Sequence, residues 1–111
     1  MSGKFELKNA SNGLFMFNLK APNGEKILTS ELYKSKEGAI NGIESVRVNA
    51  VFDNQFERKT SSRMEPYFVL KAGNGEIIGT SEMYSSTSAR DNGIASVKQN
   101  APDVIIDDQT Q

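Results

Sequence analysis

One short motif with chemically useful side chains occurs twice in the chain of 111 residues. Thr29-Ser30-Glu31 is followed one residue later by Tyr33, and Thr80-Ser81-Glu82 is followed by Tyr84 at the same spacing. Each copy combines a hydroxyl, a carboxylate and a phenol, which together can bind a polar ligand through hydrogen bonds. The candidate contact residues are therefore Ser30, Glu31, Tyr33, Ser81, Glu82 and Tyr84.

The same motif has a structural interpretation. Glu31 can pair with Lys20 across a hairpin, and Tyr33 can cover the start of the helix that follows. Turns and caps that define a fold survive duplication as readily as binding residues do. The sequence favours this structural interpretation and leaves ligand binding open.

The composition excludes several kinds of chemistry. The chain contains no His and no Cys, which rules out disulfides, zinc sites with those ligands and Cys-His or Ser-His catalytic pairs. Glu31 and Glu82 could act as an acid pair on a glycoside, but nothing in the sequence brings them together. We therefore expect no catalytic residue, no metal and no cofactor, and an enzyme using Glu and Tyr is the least favoured alternative.

The charge is nearly balanced, with 13 Lys and Arg against 14 Asp and Glu. This balance weakens, without removing, the alternative of a nucleic-acid-binding protein, because phosphate neutralisation needs an excess of positive charge. That alternative would use the outward face of the middle strands. Its residues would be Met16, Asn18, Lys20, Tyr67, Val69 and Lys71. No apolar run approaches the roughly 20 residues of a membrane span, and no secretory pattern opens the chain, so we expect a cytoplasmic protein without a membrane partner.

The strongest signal in the chain is an internal duplication. Shifting the sequence by 51 residues aligns residues 5–50 with residues 56–101 without a gap, and about half of the aligned positions are identical. Chance would give roughly one in fifteen. Identical segments include Leu19-Lys20-Ala21, Asn23-Gly24-Glu25, Thr29-Ser30-Glu31, Asn41-Gly42-Ile43 and Ser45-Val46, each of which recurs 51 positions later.

Each copy reads as three strands followed by a helix. In the first copy, alternating polarity predicts strands over residues 4–8, 14–21 and 25–32, separated by Asn-Gly turns. Ser35 predicts a helix N-cap, and an apolar stripe follows it at helical spacing. The stripe consists of Ala39, Ile43, Val46 and Ala50. In the second copy Pro66 replaces Phe15, so it is expected at a strand start or edge.

Gly42 and Gly93 lie inside the predicted helices, where glycine costs about 1 kcal/mol relative to alanine. Either the helix backbone approaches the sheet closely at this point, or the helix breaks into two. The continuous phase of the apolar stripe favours the unbroken helix.

A unit of about 50 residues without a disulfide or metal is marginal alone, so the two copies should share one core. We predict a single domain over residues 1–111, with repeat one at 4–52, repeat two at 55–106 and a polar tail at 107–111. The chain would be a monomer that imitates a two-fold dimer. The predicted core is Phe5, Phe17, Leu19, Ile27, Ile43 and Val46, with Phe56, Phe68, Leu70, Ile78, Ile94 and Val97.

These motifs resemble a known family. The pattern F-x-L-K-A-x-N-G-E-x-I-x-T-S-E-x-Y followed by N-G-I-x-S-V, at residues 17–46 and 68–97, is similar to the YegP-like family of small bacterial proteins. The resemblance implies an α+β fold made of tandem β-β-β-α-β units. They would form a pseudo-two-fold shared sheet packed by two helices, with the C-terminal strands exchanged between halves. It implies no biochemical function.

The sequence thus predicts a non-catalytic binding or interaction module whose ligand and partners are unknown. A nucleic-acid binder is the alternative.

Overall fold

The computed structural model describes residues 3–111, apart from the side chain of Asp103, and these residues form seven strands and two helices. The start of the predicted domain, at Met1 and Ser2, lies outside them. The elements are β1 (Lys4–Asn9), β2 (Phe15–Lys20), β3 (Lys26–Ser30), α1 (Lys36–Asn49), β4 (Phe56–Thr60), β5 (Pro66–Lys71), β6 (Ile77–Thr80), α2 (Thr87–Asn100) and β7 (Ile105–Asp108). The expected α+β architecture of two tandem units is confirmed.

The hairpins form where the sequence places them. Asn12 and Gly13, between β1 and β2, both have positive φ, which Asn and Gly accept at low cost. In repeat two this Asn-Gly pair is lost, and Met64 takes the positive φ instead. Pro66 begins β5, as expected for a residue without an N–H.

All seven strands join one sheet in the order β4-β5-β6-β3-β2-β1-β7. The repeats meet at β3 and β6, where Thr29 lies opposite Thr80 in antiparallel register. These two threonines are 51 positions apart and therefore occupy the same place in their repeats. The pseudo-two-fold axis passes between them.

The exchange of a final strand occurs at one end of the sheet. β7, from repeat two, pairs in parallel with β1 of repeat one. The residues 51 positions before β7 are 54–57, and the last two of them, Phe56 and Glu57, already belong to β4. The short connection between α1 and β4 leaves no room for a separate strand, so the outer edge of β4 is unpaired among the described residues.

The predicted polar tail at 107–111 was wrong for its first residues. Asp107 and Asp108 belong to β7. Beyond the strand, the Gln109 N–H donates to the Leu7 carbonyl at 2.8 Å. The backbone groups on the edge of β1 bind this segment, because an unpaired buried carbonyl is costly.

Both helices pack on one face of the sheet. Ser35 and Ser86 cap them, with each hydroxyl accepting from the N–H three residues later. All twelve predicted core residues are buried in one cluster that crosses the repeats. Leu28, beside the pseudo-two-fold axis, also belongs to this cluster.

The opposite face of the sheet carries an ion cluster around a buried carboxylate. Glu6 is 5% exposed and contacts the Nζ atoms of Lys4, Lys8 and Lys20 at 3.5, 3.3 and 3.2 Å. Burial alone would raise the pKa of Glu6, but the hydrogen bonds and charges of Lys20 and Lys8 hold it below its ordinary value.

Two residues predicted on the outward face are buried there. Asn18 donates to Thr29 and accepts from Lys8, and Val69 is 3% exposed among its neighbours. In a sheet this wide, long side chains on adjacent strands cover the shorter ones between them.

Candidate functional site: two clefts between the repeats

Tyr33 sits at the junction between the sheet and α1. Its backbone N–H and carbonyl exchange hydrogen bonds of 2.8 Å with the carbonyl and N–H of Phe15. Its ring stacks on that of Phe17, with centroids 6.2 Å apart. These contacts hold the phenol half-buried over the first turns of α1, as the structural interpretation of the motif predicts.

Gly42 leaves the space in which the Tyr33 phenol packs. A Cβ at this position would lie 2.7 Å from Tyr33 Cζ and 3.0 Å from Phe17 Cε2, with the phenolic oxygen closer still. The same holds in repeat two, where a Cβ at Gly93 would lie 2.7 Å from Tyr84 Cζ. The helices are unbroken, and their repeated glycines are explained by packing against these rings.

A cleft of about 630 Å³ opens beside Tyr33, between α1 of repeat one and the β5–β6 hairpin of repeat two. We call it cleft one. Repeat one contributes Glu31, Leu32, Tyr33, Gly38, Asn41, Gly42 and Ser45, and repeat two contributes Ala72, Asn74, Glu76, Ile77 and Ile78. The cleft therefore exists only where the two repeats meet.

Local geometry fixes the polar groups of cleft one. Asn41 and Ser45 are four residues apart on α1, so they share one face of the helix. On the opposite wall, the Oδ1 atom of Asn74 accepts from the N–H of Glu76 at 3.0 Å. This bond and the positive φ of Gly75 hold the tight turn that carries both side chains.

Cleft two is the pseudo-symmetric counterpart, with a volume of about 250 Å³ between α2 and the β2–β3 hairpin. Its lining residues are Ala21, Asn23, Glu25, Ile27, Tyr84, Ala89, Asn92, Gly93 and Ser96. Nine of the twelve residues that line cleft one are identical 51 positions away, compared with about half across the whole alignment. Identity between the repeats is thus concentrated around the clefts.

The predicted contact residues divide into two groups, and the serines belong to the framework. Ser30 Oγ accepts from the N–H of Phe17 at 2.8 Å and donates to the carbonyl of Glu31 at 2.7 Å. Ser81 makes the same two bonds at 3.0 and 2.8 Å. Both hydroxyls are buried and committed to the backbone, outside the clefts.

The glutamates of the motif are exposed. Glu31 lines cleft one. Glu82 is not among the residues that line cleft two, but its charge helps to raise the pKa of Tyr84, which does line that cleft. The structure therefore does not pair Glu31 with Glu82. Cleft one instead brings Glu31 together with Glu76 of the other repeat. The expected pairing of Glu31 with Lys20 was also wrong, since Lys20 contacts Glu6.

Sequence reasoning missed Asn41, Asn74 and Glu76. It assigned each to its correct local element, a helix or a hairpin turn. It did not predict that the helix of one repeat faces the turn of the other. The available signal was that the Asn-Gly-Glu and Asn-Gly-Ile segments are identical in both copies.

The two phenols are available as hydrogen-bond donors. Burial raises the pKa of Tyr33 above its ordinary value, and the charge of Glu31 adds to the shift. Burial likewise raises the pKa of Tyr84, with Glu82 and Glu25 adding to it. Both remain protonated at neutral pH. Among residues 3–111, no protein group hydrogen-bonds to the Tyr33 hydroxyl.

Two further features bear on function. The described part of the chain contains no cluster of three or more Asp, Glu, His or Cys residues placed to hold a metal ion. Within the same part, neither helix has the length and apolar character needed to cross a bilayer.

The family and the relatives to which this chain is similar carry names that state no activity. The family described as "Domain of unknown function (DUF1508)" matches residues 10–57 and 61–108, two segments offset by 51 positions. A UPF0339 protein of Shewanella oneidensis is 56% identical over 99% of this chain and 100% of its own length. UPF0339 protein YegP of Yersinia pestis is 54% identical over 97% of this chain and 96% of its own length.

Solution structures of two such proteins agree with the fold. The UPF0339 protein of Shewanella oneidensis superposes with a TM-score of 0.93 at 55% identity, covering 99% of this chain and 93% of that one. The protein of unknown function yegP from E. coli gives a TM-score of 0.94 at 51% identity, covering 99% and 95%. Nothing in these comparisons indicates catalysis.

Proposed function

Because this chain belongs to the DUF1508 (UPF0339) family, whose compared members carry no stated activity, we propose from its own geometry that it is a non-catalytic binding module. Cleft one and cleft two are its binding sites. The ligand would be small and would enter from solvent. Cleft one has the size typical of small-molecule sites, about 300–1,000 Å³.

One observation carries this proposal. The residues that line the clefts are more often identical between repeats than the rest of the chain, and three of the identical ones, Glu31, Asn41 and Glu76, lie outside the core cluster. Tyr33 and Gly42 have a structural reason to be retained. Asn41 and Glu76 project into the cleft from opposite repeats, and no side-chain hydrogen bond or ion pair within residues 3–111 uses them.

Binding fits this geometry better than catalysis does. Glu31 and Glu76 are exposed, so neither carboxylate is enclosed with a substrate away from water. The predicted contact residues Ser30 and Ser81 would support the site from behind. Glu31, Tyr33, Glu82 and Tyr84 would face the ligand.

Location and assembly are part of the same proposal. A single chain supplies both halves of each cleft, so a monomer over the domain 1–111 would be sufficient for binding. The cytoplasmic location predicted from the sequence stays a prediction, which cell fractionation would test.

The test is a search for ligands by amide chemical-shift perturbation in the isotopically labelled full chain. A mixed library of small cationic, neutral and anionic compounds should shift resonances lining cleft one. Asn41→Ala should then weaken the best hit about tenfold, the loss expected for one or two hydrogen bonds to the ligand. Tyr67→Phe, on the open face of the sheet, is the matched control and should leave affinity unchanged. Binding confined to the open face would contradict the proposal.

A further inference from the structure

Cleft one carries negative charge that no ion pair among residues 3–111 neutralises. Glu31 and Glu76 line it from opposite walls, and no Lys or Arg belongs to its lining. Neither glutamate forms an ion pair within residues 3–111, although eleven such contacts occur there. Resting on the proposed function, we infer that the ligand of cleft one carries an aliphatic ammonium group.

The apolar part of the lining is an independent reason for an alkyl chain. Leu32 is 56% exposed and Ile77 is 39% exposed, and both line cleft one. Small-molecule sites are lined mainly by apolar side chains, so Leu32 and Ile77 can contact an apolar part of the ligand. An alkyl chain of four or five carbons would cover Leu32 and Ile77 while its ammonium reaches the carboxylates, as lysine side chains do elsewhere.

The Tyr33 phenol offers a further hydrogen-bond acceptor for an ammonium group. Tyr33 presents a half-buried ring and a hydroxyl that has no hydrogen-bond partner among residues 3–111. An ammonium has three N–H donors and no acceptor, so it can donate to the phenolic oxygen and to carboxylates at once. An anionic ligand would instead face two uncompensated carboxylates.

Cleft two differs from cleft one in residue type at matching positions and in volume. Ile77 of cleft one is matched by Lys26 in the other repeat, and Gly38 is matched by Ala89. Cleft two is less than half as large as cleft one. Cleft two thus lacks a counterpart of the apolar Ile77 side chain and has the smaller volume, so cleft one should be the stronger site for an alkylammonium ligand.

The test uses probes of one shape and three charges on the full chain: pentylamine, pentanol and pentanoate at neutral pH. Pentylammonium should shift the amides of cleft one in a saturable manner, and added salt should weaken it. Pentanol and pentanoate should bind at least tenfold more weakly. Free 1,5-diaminopentane and a lysine-containing tripeptide, with its ε-acetylated form as control, would distinguish a small amine from a lysine side chain as the source.

Charge-neutral variants locate the interaction. Glu31→Gln and Glu76→Gln should each weaken pentylammonium about fivefold, as expected for one exposed charge pair. Glu65→Gln, an exposed glutamate outside both clefts, should have no effect. Saturable binding of neutral or anionic probes in cleft one, with none of amines, would overturn the ammonium inference and keep the binding site. No binding in cleft one by any probe would overturn both.

Discussion

The phenol of Tyr33 lies directly against the backbone of Gly42, with no room for a methyl group between them. Glycine at position 42 has a lower helix propensity than alanine, but only glycine leaves space for the Tyr33 ring to pack on α1. This contact places the Tyr33 hydroxyl at cleft one. The same contact recurs between Tyr84 and Gly93 at cleft two.

Gly42→Ala should destabilise the protein even though it improves helix propensity. The propensity gain is about 1 kcal/mol, whereas forcing a methyl group into this packing costs about 1–3 kcal/mol. We expect a net loss of up to about 2 kcal/mol in urea unfolding. In a Tyr33→Phe background the loss should shrink, because the contact of the missing oxygen is gone. Gly73→Ala, at an open position, should stay within about 0.5 kcal/mol of wild type. A stabilised Gly42→Ala protein would show that the ring moves away freely.

Much of the fold follows from local patterns. In repeat one, four local features lie where the sequence predicts them, because each depends only on residues close together in the chain. They are the alternating strands, the Asn-Gly turns, the Ser35 cap and the apolar stripe of α1. The glycine inside α1 also signalled a close contact correctly. Its partner, Tyr33, lies nine positions earlier, and only packing in three dimensions identifies it.

The clefts depend on long-range placement that sequence patterns do not specify. Asn41 and Glu76 line the same cleft because β3 pairs with β6 at the centre of the sheet. The absence of a separate strand between α1 and β4 follows from the length of the connection, not from its residue types. Duplication predicts that two halves match, but it does not give the axis that relates them.

Leu28 and Gly79 should be strongly coupled, because they compete for one space beside the pseudo-two-fold axis. A Cβ at Gly79 would lie 2.6 Å from Leu28 Cγ and 2.8 Å from its Cδ2. Gly79→Ala alone should cost about 1–3 kcal/mol through overpacking, and Leu28→Ala alone about 2–5 kcal/mol through the cavity. The double variant should be more stable than the sum of these losses predicts. Additive losses in a thermal-unfolding cycle would contradict the shared space.

Glu6 should make stability depend on acid. Its folded pKa is depressed, so its contribution is complete above the unfolded value of 4.5 and is lost as pH falls through the folded value. At pH 7, Glu6→Gln should lower the free energy of unfolding by about 1–3 kcal/mol, since three lysines each lose a contact with a buried carboxylate. The difference from wild type should narrow toward pH 2. Glu57→Gln, at the more exposed counterpart in repeat two, should have the smaller effect. Equal effects of both variants across this pH range would argue against a special role for burial at Glu6.

Deleting residues 104–111 should expose the edge of β1 and destabilise the whole sheet. Val104 and Ile106 pack against the core, and burying such side chains contributes about 1.5–3 kcal/mol each, so a loss of about 3 kcal/mol or more is expected. Arg47 would also lose the Val104 carbonyl to which it donates. The bare strand edge should promote self-association, which size-exclusion chromatography would detect.

The matched control is a shorter deletion. Deleting residues 109–111 alone removes the backbone hydrogen bond from Gln109 but keeps β7. That shorter deletion should cost about 1 kcal/mol and leave the elution volume of the protein unchanged. If both deletions behaved alike, the parallel pairing of β7 with β1 would not be what closes this end of the sheet.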